Sequence, residues 1–170
     1  MKNRDLKQQR KAFFFLFLSC ILLVALDQWT KYLAVLYLKE KNPIIIIKGV
    51  FELSYLENRG AAFGLFQNHR YIFLCTTIII MAGVLYVYWK IPKNKHFLPL
   101  QFIGIGVFSG AIGNMIDRLL HGYVVDFFYF SLIDFPVFNV ADVYVTVSVA
   151  FLVVFLIFFY KEEEFSFLSR

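Results

Sequence analysis

The chain has 170 residues, 60% of them hydrophobic, 20% aromatic and only 17% charged, against roughly 25% charged in soluble domains. Its 22 phenylalanines exceed what one water-facing globule of this size encloses, and the length suits one membrane domain with no room for a second folded unit. A net charge of +5 does not point to nucleic acid, because the basic residues flank apolar runs instead of forming a stripe in polar surroundings.

A bilayer crossing takes roughly 20 apolar residues, and four segments qualify, at about 13–34, 71–89, 97–116 and 141–160. The first follows Lys2, Arg4, Lys7, Arg10 and Lys11 and is uncharged from Phe13 to Leu26. The next residues are Asp-Gln-Trp-Thr-Lys, not a small-residue cleavage site, so a retained anchor is expected. Asp27 and Lys31 lie four apart, acid first, the favourable order for an ion pair on one helix face. Such a pair would fasten the first helix to its neighbours.

Residues 43–56 are β-branched and partly alternating, which reads as strand in a small sheet on the membrane surface. Asn58–Gly64 reads as a turn of little bulk, where backbone approaches a ligand closely. The second and third spans are joined by a short connection with Lys90, Lys93 and Lys95 and no acid. Gly106, Gly110 and Gly113 in the third span invite close packing by another helix. Asn114, Asp117 and Arg118 at its end share a face. An Asn at that depth must hydrogen-bond, either to a neighbouring helix or to a ligand.

Residues 122–136 begin with Gly122 and hold six aromatic side chains, a density that fits the headgroup layer. This segment is expected to lie at the membrane surface, where it can close over a substrate as a lid. Asn139 and Asp142, three apart, open the fourth span. Asn139 can cap that helix and Asp142 can complement its positive end, or both can serve a site.

Ten basic residues lie on the termini and the connection between spans two and three. The positive-inside rule therefore puts both termini in the cytoplasm and the two long loops outside. That topology delivers Asp27, Asn58, Asn114, Arg118, Asp126, Asn139 and Asp142 to one surface. Carboxylates near hydrocarbon are costly and have a partner or a task. Asp126 and Asp142 are the minimum equipment of an aspartic hydrolase, two carboxyls able to share a proton and activate a water. A small ion- or proton-conducting transporter and a non-enzymatic scaffold are the alternatives, although the acids gather at one surface and do not ladder across the membrane. His69, His96 and His121 have no spaced partners and form no metal set. Cys20 and Cys75 fall in apolar stretches and read as packed thiols without a disulfide.

Five blocks carry a resemblance: Asp-Gln-Trp-Thr-Lys (27–31), Asn-Arg-Gly-Ala-Ala-Phe-Gly (58–64), Gly-Asn-Met-Ile-Asp-Arg (113–118), Val-Val-Asp-Phe (124–127) and Phe-Asn-Val-Ala-Asp (138–142). In order, spacing and four-span layout, from about Phe13 to Tyr160, the chain resembles the bacterial lipoprotein signal peptidases, or type II signal peptidases. The resemblance implies an all-α integral membrane protein of four transmembrane helices with a small extracytoplasmic β-sheet cradle. It implies an intramembrane aspartic endopeptidase of the bacterial plasma membrane, needing no cofactor or metal. Its substrates would be diacylglyceryl-modified prolipoproteins, cut just before the lipidated cysteine, and its surroundings membrane lipid. By motif the catalytic pair falls on Asp126 and Asp142, and the substrate-binding residues on Asn58, Asn114, Arg118 and Asn139. Supporting positions fall on Asp27, Lys31, Gly60 and Asp117. A monomer is expected. Val143 departs from the family pattern, Asp134 matches no motif, and the tail from Lys161 lies outside it.

Overall fold

In a computed structural model the described residues are 2–60 and 70–168. Four helices carry the chain: α1 (Lys2–Leu38), α2 (Arg70–Lys90), α3 (Leu98–Leu120) and α4 (Val140–Phe158). All four are long and apolar enough to cross a membrane. The first is longer than the expected span because no Gly or Pro interrupts residues 2–42. The second stops before Pro92, and α3 takes Pro99 within its first turn, where a missing N–H costs nothing. Capping opens α4: the Asn139 side chain accepts from the Asp142 N–H while the Asp142 carboxylate accepts from the Asn139 N–H.

At the centre stands α3, with α1, α2 and α4 packed around it. The glycines expected to admit a neighbour do so. A Cβ at Gly110 would lie 2.5 Å from the Ala141 carbonyl oxygen, one at Gly106 would strike Ser148, and one at Gly113 would lie 2.5 Å from Asp27 Oδ2. Gly106 and Gly110 thus seat α4, and Gly113 seats α1.

A three-stranded antiparallel sheet caps one end of the bundle: β1 (Ile44–Ile47), β2 (Phe51–Asn58) and β3 (Val124–Tyr129), in that order. Gly49, at φ +70°, makes the β1–β2 turn, a conformation only glycine adopts without cost. The sheet's apolar face packs on the C-terminal end of α1, where Val125 and Phe127 meet Ala34 and Leu38. The four isoleucines of β1 are all exposed, as a surface against lipid headgroups permits.

Two expectations change. Residues 122–136 are not one surface segment. Gly122, at φ +79°, turns the chain out of α3, and Val124–Phe127 are buried as a strand paired with β2. Val-Val-Asp-Phe-Phe-Tyr is a β-forming run, and pairing satisfies its backbone where a free lid would not. Of the two thiols, Cys20 is buried and accepts from Ser109 Oγ at 3.3 Å, whereas Cys75 is exposed on α2. The expected turn at Asn58–Gly64 is described only to Gly60; its remainder, and His69, lie outside the described residues.

Candidate active site

Strand pairing places the first carboxylate. Asp126 sits opposite Leu56 on β2, so Asn58, two residues along, reaches it diagonally: Asn58 Nδ2 donates to Asp126 Oδ2 at 2.9 Å. A bridge between Phe128 and Phe138 then draws the start of α4 against β3. Asn139 Nδ2 donates to Asp126 Oδ1 at 2.6 Å, and Asn114 Nδ2 from α3 donates to Asp142 Oδ1 at 2.7 Å. The same Asn139 nitrogen reaches Asn114 Oδ1 at 3.1 Å, so one chain of amides joins the two acids.

Each asparagine is aimed by what touches its oxygen. Asn58 Oδ1 accepts the Gly60 N–H, Asn139 Oδ1 accepts the Asp142 N–H, and Asn114 Oδ1 accepts from Lys31 Nζ at 2.9 Å. Backbone N–H and ammonium groups only donate. The three NH₂ groups are therefore forced toward the carboxylates.

Behind this row lies a buried ionic cluster. Lys31 Nζ stands 2.9 Å from Asp27 Oδ2 and 3.0 Å from Asp117 Oδ2. Asp27 Oδ1 accepts the Ala141 N–H, and Asp117 Oδ2 accepts the Val125 N–H. Gln28, which sequence reasoning passed over, donates to Asp117 Oδ1 and to the Gly113 carbonyl; a polar residue beside Asp27 inside a span was its signal. The cluster thus ties α1 to α3, to β3 and to the first turn of α4, the elements that carry the two acids.

In front lies a cavity of about 470 Å³ lined by Asn58, Gly60, Arg118, Asp126 and Asp142, with Phe135–Phe138, Val143, Thr146 and Val147 as its apolar wall. Arg118 stacks its guanidinium over the Phe73 ring at 4.9 Å and donates to the Asn114 carbonyl. Asn114 and Asn139 do not line this cavity. Asn139 is wholly buried, and both amides are taken up by the carboxylates, so neither is left for a ligand. The two readings of Asn139 and Asp142 coexist: the cap of α4 is also the scaffold of the site. Among the described residues no group of His, Cys, Asp and Glu is disposed to hold a metal.

Burial, and after it the charge of Asp142, pushes the Asp126 carboxyl up to about 7, against the weaker pull of the Asn58 and Asn139 amides. Two acids beside one polar-floored cavity, one of them half-protonated near neutrality, can hold one proton between them.

Residues 19–158 match the family model described as Signal peptidase (SPase) II. The chain belongs to that family. A lipoprotein signal peptidase of Streptococcus thermophilus is 43% identical over 145 residues, 85% of this chain and 92% of that protein. One of Clostridioides difficile is 44% identical over 142 residues, 84% of this chain and 94% of that protein. A solved bacterial membrane enzyme, determined by the in meso method at 2.3 Å resolution, superposes with a TM-score of 0.73 at 32% identity, covering 84% of this chain and 87% of that one. The family match ends at residue 158, the last residue of α4.

Proposed function

We propose that this chain is an intramembrane aspartic endopeptidase that removes the signal peptide from diacylglyceryl-modified prolipoproteins, cutting on the amino side of the lipidated cysteine. The observation that carries this reading is the meeting of Asp126 and Asp142, from β3 and α4, at one cavity and through one row of amides. Family membership supplies the substrate class.

With one proton on the pair, the ionised carboxylate takes a proton from water as its oxygen bonds to the scissile carbonyl carbon. The protonated carboxyl donates to the developing oxyanion, and Arg118 on the cavity wall adds positive charge there. Collapse breaks the C–N bond, and a proton passes from the pair to the leaving amine of the cysteine. The proton is shared, so neither acid is base by itself. Water is the only co-reactant that two carboxyls require. Asn58, Asn114 and Asn139 position the carboxylates, and Arg118 faces the substrate.

The chain forms one bacterial plasma-membrane domain with both termini cytoplasmic and the sheet outside, as the distribution of basic residues favours. The cysteine's acyl chains stay in lipid while its peptide bond enters the cavity. The test is incubation of the purified protein, as a monomer in detergent, with a diacylglyceryl precursor and mass measurement of the products. A new N-terminus at the lipidated cysteine supports the reading; an intact precursor, or a cut elsewhere, overturns it.

A further inference from the structure

A second cavity, about 430 Å³ and almost wholly apolar, lies deeper along the bundle between α2 and α4. Both helices pack on α3 and hardly on each other. Its walls are Gly83 and Val84 of α2 and Val149 and Leu152 of α4, with Gly104 and Val107 of α3 as its floor.

It continues the candidate active site. On α4, Asp142 and Thr146 line the outer cavity and Val149 and Leu152 the inner one, at steps of four, three and three residues, one face of one helix. On α3, Arg118 lies eleven residues from Val107, three turns along the same face. The two cavities are thus aligned end to end along α3 and α4 and together outline one furrow. From Asp142 to Leu152 it runs about 15 Å, at about 1.5 Å of rise per residue.

The inner end is closed by the tail. After α4 the chain folds back as a short 3-10 helix, Glu162–Phe167, and Phe165, Phe167 and Leu168 line the cavity. The fold-back is fastened twice: His96 Nε2 lies 2.6 Å from Glu164 Oε1, and Tyr160 donates to the His96 carbonyl at 2.9 Å. Phe97 stacks on Tyr160 and meets Phe167 edge-on.

We infer that the furrow seats the apolar helix of the signal peptide and that Phe165 and Phe167 are its inner stop, setting the length of apolar segment this enzyme accepts. This rests on the peptidase reading above. A furrow of about ten helical residues suits the apolar core of a signal peptide, about 7–15 residues, and is far short of the roughly 20 that cross a bilayer. Its continuity with the two aspartates puts the end of such a helix at the scissile bond.

The experiment compares cleavage of diacylglyceryl precursors whose apolar segments have about 8, 12 and 16 residues. The parent is expected to cut the longest about tenfold more slowly than the other two, the scale of discrimination a packed apolar wall achieves. The F165A/F167A double variant is expected to abolish that difference. A second variant avoids the tail: a Cβ at Gly83 meets nothing within 4 Å, so Gly83→Leu folds and fills the furrow, lowering cleavage of all three about tenfold. Equal parental rates across the series, an unchanged preference after the double substitution, or full activity of Gly83→Leu each overturn the inference. In all three cases the 12-residue precursor is still cut and the catalytic reading stands. Failure of the parent to cut any precursor overturns both.

Discussion

In the proposed mechanism Asp126 is the side chain on which the chemistry turns. Its carboxyl, pushed up to about 7 chiefly by burial and next by Asp142, keeps the shared proton below that pH and loses it above. Turnover needs that proton, so kcat/KM is expected to fall about tenfold per pH unit above 7. Asn58→Ala removes a donor that favours the charged form, so it should move this limb to higher pH; a limb that stays in place, or shifts down, contradicts the assignment. Lys31 does structural work of equal weight. Three buried acceptors, on Asp27, Asp117 and Asn114, surround its ammonium. Lys31→Leu leaves two carboxylates without their cation and is expected to destabilise the fold by about 3–5 kcal/mol, read by thermal unfolding in detergent. Helical spacing made the Asp27–Lys31 pair legible in the sequence. The part of Asp117 in the same cluster was not, because its partner lies on another helix and no local period reports that.

The elements place these residues, and their glycines decide how closely the helices approach. Gly110→Ala would set a methyl 2.5 Å from the Ala141 carbonyl and 2.7 Å from Val145 Cγ2. Helix α4 then has to move, carrying Asp142 with it. A loss of about 1–3 kcal/mol is expected, with lower turnover, whereas Gly83→Ala, with open space around it, should cost no stability. An equal loss at the two positions would mean that the close contact at Gly110 does not decide the cost. Hydropathy read the four helices well, since an apolar run of that length has few other uses. It failed at β3. The rings of residues 122–136 suggested a surface segment, yet the β-branched start of Val-Val-Asp-Phe-Phe-Tyr belonged to a strand whose partners on β2 lie 66 (Asn58 to Val124) to 77 (Glu52 to Tyr129) residues earlier. Long-range pairing of this kind leaves no trace in local pattern. The asparagines' contacts were hidden similarly. Their polarity marked them as site residues, but which donor holds each oxygen depends on three separate elements.

At the scale of the molecule, two acids from distant stretches are brought to one cavity by a bundle, a sheet and a buried ionic cluster between them. That arrangement favours hydrolysis over ion conduction, because the buried charged side chains among the described residues gather at the sheet end and none lines the inner, apolar cavity. Family membership was legible in five short blocks; the furrow and its closing tail were not, since they depend on a fold-back beyond residue 158. The most direct measurement is kcat for Asp126→Asn, Asp142→Asn and the double variant, each purified and folded, on a diacylglyceryl precursor. Each single change is expected to lower kcat by at least about 1,000-fold, with the double variant no worse, since the two carboxyls act as a unit. Processing by either single variant at the parent rate would contradict catalysis by a shared proton.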